Sequence, residues 1–343
     1  MRAAVRTILV TALAVGLMAV FLRNADFGQV WAAVRAARVD LLAFAVVLTG
    51  VTYVIRAERW QYMLGPLGPT RFGVALRTTV IGFAASAVLP ARVGEVLRPY
   101  LLARREGLST TSVFATIIVE RMLDLVAVLG LLAVYLLVLD EGVRRRSPLL
   151  YGAVETGGLV MAGVAVAGLA VMYVLAGHPE RLHGWMLRAE RVLPGRLAAR
   201  VAHLARMLVQ GFAVLRQPRR LVATLAWSLA LWVTICVEIW VVAVAFGLAL
   251  PFAGTFLLSA MLVVGIAIPT PGGVGGFHEA FRLGATSFYG AANDVAVGAA
   301  LVLHAAAMAP VVAVGLVWVM QDGLRLGGLQ QLARRARAEE EAK

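Results

Sequence analysis

Long apolar runs separated by short arginine-rich segments dominate this chain. Six of them read as membrane-spanning helices: Arg6–Leu22, Leu41–Ile55, Ser112–Leu139, Leu150–Ala176, Leu221–Leu250 and Val295–Met320. The runs are continuous rather than alternating at period two, which excludes a transmembrane β-barrel and predicts an all-α polytopic membrane protein. Two further stretches, Val74–Pro90 and Phe252–Phe288, are apolar but shortened and broken by Gly, Pro or charge. Irregular backbone at membrane depth is tolerated only where protein or a water-filled cavity surrounds it, so both are expected as re-entrant elements. If they cross fully, the count rises to eight spans.

Between the runs, Asp26–Arg38 places Phe27, Val30, Trp31 and Val34 at helical spacing and predicts an amphipathic helix at the interface. Gly177–Arg220 is the long polar connection, with nine Arg against Glu180 and Glu190, and its Leu182, Trp185, Leu193 and Leu197 predict further amphipathic helices. By the positive-inside rule this connection is cytoplasmic. Counting sides from a cytoplasmic N-terminus puts Arg56, Arg59, Arg71 and Arg77 inside as well, and brings residues 323–343, a charged tail, back to the cytoplasm. Arg144, Arg145 and Arg146 fall outside, against the rule. The pattern is span, span, re-entrant element, span, used twice with opposite orientation: repeat one over 1–140, repeat two over 150–322, with 177–220 as a connection inside the second. Inverted repeats with broken helices are the signature of alternating-access transporters. No repeat is visible residue by residue.

Composition narrows the partners. The 343 residues are 61% hydrophobic and 15% charged, with a net charge of +13. The arginines cluster at the ends of apolar runs, where anionic lipid headgroups and the positive-inside rule want them, so nucleic acid is not the partner. Lys343 is the only lysine against 31 Arg, a bias that weakens the inference from any single arginine to bidentate anion binding. Cys236, the single cysteine, cannot form an internal disulfide. Arg2 and Arg6 precede an apolar run that continues into Arg23-Asn24 without a small-x-small cleavage site, the pattern of an uncleaved first span.

Chemistry-bearing residues form three groups. Arg92, Glu95, Arg98, Arg104 and Arg105 lie in the segment after Pro90; Glu95 can pair with Arg92 or Arg98 on a helix, either as a self-satisfied interfacial helix or as an electropositive mouth for phosphate headgroups. Glu120, Arg121 and Asp124 sit two to three turns into an apolar helix, where each charge costs about 2.5–3.5 kcal/mol at mid-bilayer. Glu120 and Asp124 share a face, and Arg121 can reach Asp124, so the trio either locks helix packing or lines a polar path. Pro269–Glu279, PTPGGVGGFHE, cannot continue a helix; its glycine N–H groups, Gly272 and Gly273 among them, can form an anion-binding concavity, with Glu279 alongside, or the segment is only a tight turn. Glu238, midway along its run, reads as a protonated core acid or as a proton or headgroup partner. His304 reads first as a packing residue. No metal-ligand spacing, Walker A loop, G-x-S-x-G or Ser-His-Asp order is present, so no cofactor, metal or catalytic residue is expected.

PARVGEVLRPYLL at Pro90–Leu102, ATIIVERMLDL at Ala115–Leu125 and IPTPGGVGGFHEA at Ile268–Ala280 together resemble the lysylphosphatidylglycerol synthase transmembrane family, the flippase-like domain of multiple-peptide-resistance factors. RAERWQYML at Arg56–Leu64 resembles the family's basic-aromatic segment. The resemblance spans nearly the whole chain and implies a flippase-type fold over 1–322 in a bacterial or archaeal cytoplasmic membrane. It implies movement of a phospholipid or lipid-linked polar headgroup between leaflets, with Arg92, Glu95, Arg98, Glu120, Arg121, Asp124, Gly272, Gly273 and Glu279 at the substrate. His304 stands where the family often has Arg. Only a charged tail follows the last span, so the chain is not expected to be an aminoacyl-lipid synthase. The alternative is an accessory subunit of a membrane glycosyltransferase or lipid-modifying enzyme, working with a partner transferase or as a homodimer.

Overall fold

A computed structural model of the chain describes residues 2–89, 93–138, 141–177 and 211–323. Their regular structure is all helical, with no strand among them. The chain opens with α1 (Arg2–Leu22), which ends just before Asn24, and α2 (Phe27–Ala36), where Asp26 caps the helix by accepting from the N–H groups of Gly28 at 2.8 Å and Gln29 at 3.2 Å. The two axes meet at 82°. α2 buries Val30 and leaves Phe27 and Trp31 exposed.

The elements that follow are α3 (Val39–Leu64), α4 (Phe72–Val88), α5 (Val93–Glu106), α6 (Thr110–Val138), α7 (Glu141–Arg146) and α8 (Pro148–Gly177). After a 3-10 turn at Phe212–Arg216 come α9 (Pro218–Ala245), α10 (Gly254–Ala267), a second such turn at Pro271–Gly273, α11 (Gly276–Tyr289) and α12 (Asn293–Gln321). Of the six expected spans, α3, α8, α9 and α12 are long and apolar enough to cross a membrane. α1 meets that test only together with α2 across the bend. α6 has the length, at 29 residues, but carries Glu120, Arg121 and Asp124. The other expected boundaries are close; α3 is the exception, running nine residues past Ile55. Nothing between Ile55 and Leu64 stops a helix, and the first breaker is the C-cap, Gly65. The 177–220 connection lies mostly outside the described residues, as does the tail beyond 323.

α4 and α10, at 17 and 14 residues, are about 26 and 21 Å long, short of the ~30 Å hydrocarbon core. Each turns back into a partner, α4 into α5 and α10 into α11, and both hairpins close backbone to backbone. A Cβ on Gly94 would sit 1.7 Å from the Gly82 carbonyl oxygen; one on Gly276 would sit 2.2 Å from that of Gly265. Small residues at such crossings are how membrane helices approach closely. α3 packs along α9, α4 lies on α12, and α10 lies on α6. Arg77 and Arg105 on the first hairpin both pair with Asp322 at the end of α12, with Arg77 at 2.9 Å, so the open end of that hairpin and the end of α12 share one side of the molecule.

Candidate functional site

Three helix faces converge. On α3, Thr49, Thr52, Tyr53, Arg56 and Arg59 recur at three- and four-residue spacing. On α6, Ile117, Glu120, Arg121 and Asp124 do the same, and on α9 Ser228, Trp232, Ile235 and Glu238 follow. The α4–α5 and α10–α11 hairpins and α12 close the space between them into a cavity of about 470 Å³.

Behind one wall lies a buried ion cluster. Arg59 is fully buried and reaches both carboxylates of α6: a short bidentate contact to Asp124 and 3.2 Å to Glu120. It also donates to Ser228 Oγ at 2.8 Å. Arg98 reaches Glu120 at 3.0 Å, donates from Nε to Thr79 Oγ1 at 3.1 Å, and lies 3.9 Å over the Trp60 ring. Trp60 is itself pinned by its Nε1 to Thr116 at 3.0 Å, and Trp232 Nε1 donates to Asp124 at 3.2 Å. Two arginines against two carboxylates balance within the protein, the condition for keeping such charges buried. The Gly82–Gly94 crossing lets Arg98, one turn after Gly94, enter this cluster.

Among the described residues, three that line the cavity each carry a buried donor without an acceptor, Arg56 Nε, Arg98 Nη2 and Thr270 Oγ1, and in the adjoining cluster Glu120 Oε2 is a buried acceptor without a donor. The Arg56 guanidinium rests 5.1 Å over Phe83 and 5.9 Å over Tyr53, and no carboxylate among the described residues lies within 4.0 Å of it. Arg121, half exposed, stands 3.7 Å from each of Glu120 and Asp124, both already held more closely by other arginines. Each buried polar atom without a partner costs about 1–3 kcal/mol. Among the described residues no three of His, Cys, Asp or Glu come together as metal ligands would.

The residues singled out in the sequence divide as follows. Glu95, Arg98, Arg121, Asp124, Gly272, Gly273, Glu238 and His304 all line the cavity. Gly272 and Gly273 have φ of 59° and 74°, a left-handed turn that glycine adopts without strain, and it brings the backbone beside Thr270. Glu120 stands behind Arg98 rather than in the cavity. Glu279 does not line it: Arg282 clamps it from Nε at 2.7 Å, and Arg282 also holds Asn293 at 3.1 Å. His304 stacks on His278, with ring centroids 4.5 Å apart, and packs edge-on to Phe277. Arg92 lies outside the described residues.

The pattern of hydrophobic and polar positions pointed away from α3, where Arg56 and Arg59 were expected at the cytoplasmic end of a shorter span. Arg59 is instead the central ion of the cluster, because the carboxylates of α6 offset its desolvation. The signal was the missing stop before Gly65, which carries the helix through RAERW and turns both arginines inward.

Comparison with known proteins follows this geometry. Residues 7–315 match the family described as Lysylphosphatidylglycerol synthase TM region. Over 130 residues the chain is 32% identical to "Glycosyltransferase AglD" of Haloferax volcanii, a match covering 38% of this chain and a fifth, 20%, of that protein. With the match extending from the first helix to within a turn or two of the end of the last, the chain belongs to the lysylphosphatidylglycerol synthase transmembrane-region family.

Proposed function

We propose that the chain moves a phospholipid or lipid-linked headgroup between the leaflets of a cytoplasmic membrane, as a flippase or scramblase with both termini cytoplasmic. The observation that carries this reading is the set of buried unpartnered donors on Arg56, Arg98 and Thr270, three residues that line one cavity beside half-exposed Arg121. A phosphate supplies several acceptor oxygens and negative charge to such donors, while acyl chains stay in lipid. Glu120 and Asp124 serve to fix Arg59 and Arg98, and Arg56 and Arg121 hold the headgroup.

The inverted-repeat reading fits the packing. α3 and α9, second spans of the two halves, lie together, and each half's last span carries the other half's hairpin. The paired glycines of the two hairpins match in the same way. Rocking one half against the other around the cavity gives alternating access. On this reading α1, α6 and the two hairpins complete the membrane domain of six full spans and two re-entrant elements.

The test is leaflet exchange of fluorescent phospholipids in proteoliposomes, read by external dithionite. Arg56→Gln keeps the side-chain stem on Phe83 and removes the charge. Losing one charge-assisted hydrogen bond, about 1.5–3 kcal/mol, predicts a roughly ten- to hundredfold slower exchange. Arg121→Ala, closer to water, should slow exchange by less. Wild-type rates in a folded, inserted Arg56→Gln protein would remove Arg56 from the path.

The likeness to a protein named a glycosyltransferase favours one second reading, an accessory role beside a membrane transferase. Absence of exchange by wild-type protein for anionic and zwitterionic lipids alike would favour it.

A further inference from the structure

Glu238 on α9 is buried at 5% exposure and lines the cavity. Its Oε1 lies 2.7 Å from Thr49 Oγ1, and the same hydroxyl lies 3.1 Å from the carbonyl oxygen of Ala306 and 3.3 Å from that of Ala45. A hydroxyl has one hydrogen to give. If Glu238 is a carboxylate it takes that hydrogen, and Thr49 has none for either carbonyl. If Glu238 carries a proton, it donates to Thr49, and Thr49 donates on to a carbonyl. No cation among the described residues lies within 4.0 Å of Glu238, and the neutral acid is the form that lets Thr49 serve a carbonyl as well while avoiding the desolvation cost of a buried charge.

The ionisable groups around Glu238 are few. From α3 come Tyr53 and Arg56, from α6 Arg121 and Asp124, and from α12 His304; Cys236 is on its own helix, and α10 offers Ser259 but no ionisable side chain. Asp124 is held by Arg59 and Trp232. Arg56 lines the same cavity, and no carboxylate among the described residues lies within 4.0 Å of it.

We propose that Glu238 is the proton-binding site of the transport cycle, neutral while an anionic headgroup occupies Arg56 and ionised, as the counter-charge of Arg56, when the headgroup leaves. This rests on the headgroup reading above. On release one O–H bond of Glu238 breaks and the proton passes to cavity water; on reloading, water returns it. One proton then travels with each headgroup, and a pH gradient drives exchange in the direction the proton flows.

Infrared difference spectroscopy of the purified full chain, stepped in pH, tests the site without reference to transport. The expected result is a C=O stretch of a protonated carboxyl group that is present at acidic pH, disappears as pH rises, and is missing in Glu238→Gln. A band that ignores pH, or one that survives Glu238→Gln unchanged, overturns the proposal. Phospholipid exchange under an imposed pH gradient tests the coupling: wild type should respond roughly tenfold or more, about 1.4 kcal/mol, and Glu238→Gln, whose amide mimics the neutral acid, should not respond. Exchange by wild type that ignores the gradient also overturns it. No exchange by wild type under any gradient defeats the headgroup reading, and the infrared titration then decides by itself whether Glu238 binds a proton.

Discussion

Arg59→Met is expected to destabilise the protein by about 3–5 kcal/mol, the usual cost of stripping the partner from buried charges. Among the described residues Arg59 is the nearest cation to Asp124 and, with Arg98, one of the two nearest to Glu120, Arg121 standing farther off at 3.7 Å from each. Its loss leaves Asp124, among the described residues, with the Trp232 and Arg121 donors. The double variant Arg59→Met, Asp124→Asn removes one charge of each sign, leaves Glu120 to Arg98 at 3.0 Å, and should recover most of the loss, since a buried ion pair is worth little more than a neutral replacement of similar volume. Thermal unfolding in detergent checks both. If the single variant melts with wild type, the cluster does not hold α3 to α6.

Gly94→Ala is expected to open the first hairpin. The new methyl would lie 1.7 Å from the Gly82 carbonyl oxygen and 2.5 Å from Ser86 Oγ, and the first of these is backbone that cannot swing aside. Overpacking of this kind costs about 1–3 kcal/mol, and this site belongs at the upper end. Separation of α4 from α5 also withdraws Arg98 from Glu120 and from the face of Trp60, so lipid exchange should fall further than stability alone explains. Gly130→Ala is the control: nothing lies within 4 Å of a Cβ there, and in a helix the change should stabilise by up to about 1 kcal/mol. Equal unfolding temperatures for the two variants would show that the hairpin does not depend on the close crossing.

Much of this was legible in one dimension. The apolar runs located α1, α3, α6, α8, α9 and α12, and the Gly- and Pro-broken stretches located both hairpins, because helix formation and its interruption depend on near neighbours. Eight of the eleven candidate site residues line one cavity, since an ionisable side chain in an apolar helix is placed facing other protein. Glu279 failed for an equally local reason: Arg282, three residues on, satisfies it. Arg56 and Arg59 were missed because arginines at the end of an apolar run look the same whether they meet lipid headgroups or turn inward. Exposure separates them, and exposure depends on what packs opposite.

The amino-acid sequence by itself determined the membrane-bound, all-helical character, the family, and which helices carry buried charge, all consequences of composition and of spacing over a few residues. Only the tertiary structure decided who pairs with whom. Arg59 meets Asp124 across 65 positions, and Thr49 meets Glu238 across 189. Such pairings arise when whole helices dock, and docking turns on backbone approach at residues such as Gly82 and Gly94, whose lack of a side chain leaves no sign of which partner they admit.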